Sequence, residues 1–97
     1  MSDLQVNYQR LAELSSVYGA KAEEIRVILH NLTTAHRETM NEWQGEAARQ
    51  FDGQFGELSP KVLQFSELLD EIDSRLKQTA SVFEETDQQL KGLHGFQ

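Results

Sequence analysis

Apolar residues in the first half of the chain recur at a helical spacing. They form a row at seven-residue intervals, and further apolar side chains lie three or four positions after members of that row. This spacing places them along one side of an α-helix, which we predict from about residue 5 to about residue 40. The residues that we assign to the packing seam of this helix are Leu11, Leu14, Ile25, Ile28 and Leu32.

The second half follows a stricter alternation of four- and three-residue steps from Phe51 to Leu93, in which only Thr79 and Thr86 are not strongly apolar. Such a pattern is typical of a coiled-coil seam and predicts a second helix from about residue 46 to about residue 91. The seam residues that we assign to it are Phe51, Phe55, Leu58, Val62, Phe65, Leu69, Ile72 and Leu76.

Pro60 stands inside this second pattern. A proline either begins a new helix or kinks a continuous one. Because the alternation keeps its phase from Phe55 to Phe65, we expect one continuous, kinked helix. Gly92 and Gly95 are expected to end this helix and to leave a short tail, residues 92–97.

The connector between the two helices, residues 41–45, has the length expected of an antiparallel helical hairpin. We therefore predict an all-α fold in which residues 1–97 form a single domain. Four apolar residues of the second helix lie outside its seam, namely Leu63, Leu68, Ala80 and Val82. Leaving large apolar side chains exposed forgoes roughly 1.5–3 kcal/mol each. We expect two hairpins to pair into a four-helix bundle dimer, the alternative being a monomer with exposed flanks.

The charge of the chain excludes several classes of partner. Nine basic and sixteen acidic residues give a net charge of −7. With no cluster of Lys and Arg, nucleic-acid binding is not expected, and an acidic surface fits an anionic membrane poorly. The chain has no long apolar run for membrane insertion. Its first residues, MSDLQVNYQR, lack the features of a signal peptide, so we expect any export to use another route.

No group of residues predicts catalysis, and we expect neither a cofactor nor a metal site. His30 and His36 are six positions apart, which places them on different faces of a helix, and no carboxylate completes a metal-binding set. We expect both to be surface or rim histidines. We interpret the chain as a non-enzyme.

Trp43-Gln44-Gly45 lies between the two predicted helices and contains the only tryptophan of the chain. A W-x-G motif at this place, in a chain of this length without cysteine, resembles the WXG100 family of small secreted helical proteins. The segment 54–60 is also similar to members from Gram-positive Firmicutes. The resemblance implies a substrate of a type VII (ESX) secretion system, exported folded without a cleaved signal peptide. It implies a homodimer, or a heterodimer with a sister WXG100 protein or an LXG-type toxin. It also implies recognition by a membrane-bound ATPase.

The family has a second motif, Tyr-x-x-x-Asp/Glu, near the end of the second helix. This chain has Phe83 and Asp87 at that spacing, so the aromatic residue lacks its hydroxyl group. The Phe version is similar to that in small helical partners of LXG-type toxins. The resemblance thus implies a secretion signal made of Trp43 and Gly45 together with Phe83 and Asp87.

Alternative interpretations of these motif residues remain. Trp43 would also serve to close the end of the bundle, Phe83 continues the four-three seam, and Asp87 is placed to pair with Lys91. Residues 46 and 83 are separated by about 55 Å along one helix. Only antiparallel pairing of two hairpins would bring the two motifs together.

The sequence therefore leaves three alternative functions open. The first is a secreted dimeric component of type VII secretion. The second is a targeting chaperone that pairs with the helical N-terminal domain of a larger LXG-type toxin, and the third is an intracellular coiled-coil adaptor, which leaves the W-x-G turn unexplained.

Overall fold

Two long helices make up the fold. The computed structural model describes the backbone of residues 7–95 and the side chains of residues 7–90. Helix α1 spans Tyr8–Glu42 and helix α2 spans Glu46–Gly95. They pack against each other as an antiparallel hairpin that measures 80 × 19 × 16 Å. The predicted all-α hairpin is confirmed.

The helix ends are set by local chemistry. Asn7 caps α1, because its side-chain oxygen accepts a hydrogen bond of 2.9 Å from the backbone N–H of Arg10. At the other end of the molecule, Glu46 lies in the first turn of α2, where a negative charge is favourable. Residues 1–6, where the predicted first helix began, lie outside the described residues.

Helix α2 is continuous through Pro60, as the phase of the pattern predicted. It also runs through Gly92 to Gly95, further than the expected end near residue 91. A glycine inside a helix costs only about 1 kcal/mol relative to alanine. The backbone hydrogen bonds of a long helix therefore continue past Gly92, and residues 96–97 of the expected tail lie outside the described residues.

The contact between α1 and α2 is made largely by small and polar side chains. Ser15, Ala22 and Ser66 are fully buried, and Ala48 and Ala80 nearly so. The buried hydroxyl groups are satisfied within their own helices, since Ser15 Oγ donates to the carbonyl of Ala12 and Ser66 Oγ to that of Leu63, both at 2.6 Å. We call this contact the inner seam. Its members are Ser15, Gly19, Ala22, Leu29, His36, Ala48, Phe55, Val62, Ser66, Leu69, Asp73, Leu76 and Ala80.

The seam predicted from the sequence is divided between two surfaces. Phe55, Val62, Leu69 and Leu76 face α1 and are half-buried in the inner seam. The other row of the predicted seam is exposed on the adjoining side of the hairpin, which we call the outer face. The members of the outer face are Leu14, Tyr18, Ile28, Leu32, Phe51, Leu58, Phe65 and Ile72. The half-buried Leu11 and Ile25 share its seven-residue spacing and lie on the same side.

Two of the residues expected outside the seam, Ala80 and Leu68, differ in how far they are buried. Ala80 belongs to the inner seam, with 5 % of its surface exposed, whereas Leu68 is 55 % exposed. Leu63 and Val82 are exposed as well. Helix α2 therefore carries more apolar surface than one hairpin covers.

Charged side chains fix the register between the helices. Arg26 donates to Asp70 of α2 at 2.7 Å and to Glu23 of its own helix at 2.9 Å. These hydrogen bonds raise the pKa of the Arg26 guanidinium above its ordinary value. Further along, Asp73 packs against Gly19 and lies 2.9 Å from the ammonium group of Lys77.

Candidate functional site

The W-x-G turn has a backbone that requires glycine. Trp43 leaves α1 in an extended conformation, with φ −131° and ψ 130°. Gly45 has φ 109°, and its carbonyl accepts the first hydrogen bond of α2, from the N–H of Arg49 at 3.1 Å. Residues with a Cβ rarely adopt this φ. Nothing lies within 4 Å of the position that a Cβ would occupy, so the requirement comes from the backbone and not from lack of space.

Gly45→Ala is expected to lower the free energy of unfolding by about 1–2 kcal/mol, because alanine is strained at this φ. Gly53→Ala is the matched control, since Gly53 lies inside α2 with open space around its Cβ position. The control is expected to be more stable than the parent by about 0.5–1 kcal/mol. Urea unfolding followed by circular dichroism measures both, and equal stabilisation by the two alanines would contradict this account of the turn.

A cluster of rings lies beside the turn. The indole of Trp43 contacts Phe51, with ring centroids 5.6 Å apart, and Phe51 contacts His36 at 5.3 Å. His36 in turn stacks on Phe55 at 4.2 Å, and its Nε2 lies 2.7 Å from Oδ1 of Asp52. We call these five residues the turn cluster. The expectation of a surface or rim histidine at position 36 is wrong, because only 10 % of the His36 side chain is exposed.

An open cleft borders the turn cluster and has a volume of about 410 Å³. The indole of Trp43, which is 40 % exposed, lies beside the charged groups of Arg49 and Asp52. A partly exposed indole next to charged side chains offers both apolar and polar contacts to a protein partner. The residues lining the cleft are Met40, Trp43, Gln44, Gly45, Ala48, Arg49 and Asp52.

The two motif regions lie far apart in the hairpin. Phe83 is 45 % exposed and Asp87 is half-buried, both near the C-terminal end of α2. The turn with Trp43 and Gly45 lies at the other end of that helix, about 55 Å away at 1.5 Å per residue. One chain therefore does not bring the four residues into a single site.

The outer face contains an apolar groove between the two helices, with a volume of about 440 Å³. Its floor is formed by inner-seam residues such as Leu29 and Val62, and its walls by exposed residues such as Ile28, Leu58 and Phe65. Contiguous exposed apolar surfaces of this kind mark interaction sites. Within residues 7–95, neither helix combines the length and hydropathy needed to cross a membrane.

Comparisons with known proteins agree with this architecture. The sequence profile of the WXG100 family, "Proteins of 100 residues with WXG", matches residues 3–88. Proteins named "Type VII secretion system extracellular protein A" from Staphylococcus aureus strains USA300 and Newman are 39 % identical over 97 residues, which is the whole of each chain. The solved structure "Geobacillus thermodenitrificans EsxA crystal form I" superposes with a TM-score of 0.83 at 23 % identity, covering 90 % of this chain and 97 % of that one. The chain belongs to the WXG100 family.

Proposed function

We propose that this protein is a small substrate and component of a type VII secretion system and is exported as a folded dimer. The names of its Staphylococcus aureus relatives support secretion by this route. The observation that supports a dimer is the division of the apolar residues between two surfaces of the hairpin. Small side chains, together with the half-buried row from Phe55 to Leu76, close the hairpin, while other bulky ones such as Ile28 and Phe65, each more than half exposed, occupy the outer face.

The second hairpin is the natural occupant of the outer face. Two hairpins stacked through these faces form a four-helix bundle in which the bulky rows fill a common core. If the hairpins run antiparallel, the turn cluster of one chain lies beside Phe83 and Asp87 of the other. Trp43, Gly45, Phe83 and Asp87 then form one composite signal, which exists only in the assembled dimer.

The proposed reader of this signal is the membrane-bound ATPase of the secretion system, which binds the folded dimer. The exposed indole and the cleft beside Arg49 supply the contact surface at the turn. Recognition of a folded surface needs no enzymatic chemistry from the substrate. We accordingly propose that the protein functions by binding and not by catalysis, and that it acts outside the cell that makes it.

Trp43→Arg is expected to abolish export, because it removes the indole from the composite signal while leaving the outer face intact. The measurement is the amount of protein in the culture medium of a bacterium with an active type VII system, with and without its ATPase gene. Leu63→Arg is the matched control, because Leu63 is exposed to the same degree as Trp43, 41 % against 40 %. Export of a dimeric Trp43→Arg variant at the parental level would refute the composite signal.

The alternative is a targeting chaperone whose outer face pairs with the helical N-terminal domain of an LXG-type toxin. Phe83 favours it, because the family motif has a tyrosine at this position. The heterodimer uses the same apolar groove, so the two functions differ in the identity of the second hairpin. The native mass of the purified chain alone separates them.

A further inference from the structure

His36 connects the inner seam to the exposed tryptophan. Its ring lies parallel to that of Phe55, within 10°, and is tilted by 45° against that of Phe51. Phe51 contacts the indole of Trp43 on its other side. A continuous series of ring contacts thus runs from a nine-tenths buried imidazole to an indole that is 40 % exposed.

The two ring nitrogens of His36 differ in their hydrogen bonding. Nε2 lies 2.7 Å from Oδ1 of Asp52, whereas Nδ1 is buried without a hydrogen-bond partner. A carboxylate only accepts hydrogen bonds, and a neutral imidazole has one N–H and one bare nitrogen. The arrangement therefore assigns the proton to Nε2. Turning the ring over would break the bond to Asp52, so this bond fixes the orientation of the ring.

Asp52 is the charged group of α2 within bonding distance of the ring, but its side chain is 63 % exposed and solvent screens its charge. Arg49, one turn before it, is paired with Glu46 at 2.7 Å, and the neighbouring Arg37 and Glu38 on α1 are exposed.

We propose that His36, held by Asp52, is a positioning residue for Trp43. Its ring fixes Phe51, and Phe51 fixes the indole at the mouth of the turn cleft. The importance of the indole for export rests on the proposed function. Its positioning by His36 does not, and it is measurable on the purified protein.

The fluorescence of Trp43 tests this proposal directly, since Trp43 is the only tryptophan. We expect its emission at neutral pH to lie at longer wavelength in His36→Phe than in the parent, because phenylalanine keeps an aromatic ring on Phe55 but has no N–H for Asp52. His30→Phe changes an exposed histidine of the same helix and is expected to keep the parental emission.

A second measurement examines Asp52 at neutral pH. Asp52→Ala is expected to raise acrylamide quenching of Trp43 by about two-fold, because an indole freed from its neighbours is accessible on both faces. Asp52→Asn, whose amide oxygen still accepts from Nε2, is expected to restore the parental value. Asp70→Ala breaks the other interhelical hydrogen bond and is expected to leave quenching unchanged.

An emission of His36→Phe at the same wavelength as that of the parent would overturn the proposal. Equal quenching in the Asp52→Ala and Asp70→Ala variants would also overturn it, because the effect would then be general loosening of the hairpin. Light scattering confirms that all variants are compared at the same mass. Export of Trp43→Arg at the parental level would refute the composite signal of the proposed function and leave the positioning role intact.

Discussion

The Leu58→Glu/Phe65→Glu double variant is expected to be a monomer under conditions in which the parent is a dimer. Both side chains are 54 % exposed in the hairpin and line the groove of the outer face. Burial of a Leu or Phe side chain stabilises an association by roughly 1.5–3 kcal/mol, and a symmetric dimer buries each of them twice. The glutamates would in addition have to lose their hydration on association. We expect the dissociation constant to rise by about a thousand-fold or more, at 1.4 kcal/mol per factor of ten.

Size-exclusion chromatography with light scattering measures this result. The parent should elute at twice its chain mass of 11.1 kDa and the double variant at the mass of one chain. Leu63→Glu is the control. Leu63 is 41 % exposed, but its position five residues after Leu58 and two before Phe65 turns it away from the outer face. The control should remain a dimer.

Two outcomes would contradict the homodimer. A double variant that keeps the parental mass would show that the outer face is not the interface. A parent that is itself monomeric would show that a different chain covers this face, and would favour the toxin-targeting alternative. In that case the same double variant should fail to bind the helical N-terminal domain of the toxin.

Gly19→Ala is expected to destabilise the hairpin, although alanine is the better helix former. A Cβ at this position would overlap Oδ2 of Asp73 and approach its Cγ to 3.2 Å. The Asp73 side chain is only 17 % exposed, so it has little room to move. Overpacking of this kind costs typically about 1–3 kcal/mol, which exceeds the gain of about 1 kcal/mol from replacing a helical glycine. We expect a net loss of up to about 2 kcal/mol in the free energy of unfolding.

A double-mutant cycle shows whether Asp73 is the cause. In an Asp73→Ala background the obstruction is absent, and Gly19→Ala is expected to stabilise the protein by up to about 1 kcal/mol. Gly56→Ala provides the matched control in the parent, because nothing lies within 4 Å of its Cβ position. Urea unfolding followed by circular dichroism measures all four proteins. Destabilisation by Gly19→Ala that persists without Asp73 would contradict the assignment of this close contact.

Most of the fold could be predicted from the sequence. The apolar periodicity predicted two long helices, because apolar residues spaced three and four positions apart lie on one side of an α-helix. The single turn followed from the loss of that periodicity around Trp43 and Gly45. Pro60 did not divide the second helix, as the unbroken phase of the pattern had indicated. The W-x-G motif, at its place between two predicted helices in a chain of this length, was sufficient to recognise the family.

Part of the turn cluster was missed, although a signal for it was present. Ser15, Ala22, Leu29 and His36 follow each other at seven-residue intervals, which places His36 on the side that faces α2. Hydrophobic periodicity gives weight to large apolar residues, so a row that contains serine, alanine and histidine is overlooked. The contact between His36 and Asp52 joins positions 16 apart on two different helices, and no pattern along one helix predicts such a pair.

The sequence by itself determined that this chain forms two amphipathic helices and has more apolar surface than one hairpin covers. It did not determine which rows close the hairpin. The tertiary structure decided this: Ala22 and Ser66 are fully buried between the helices, and Gly19 leaves room for Asp73, which a Cβ at position 19 would overlap. The bulky rows, including Leu58 and Phe65, are consequently left on the outer face. Periodicity along a helix records which residues share a side, whereas complementarity of volume between two helices selects the side that is buried.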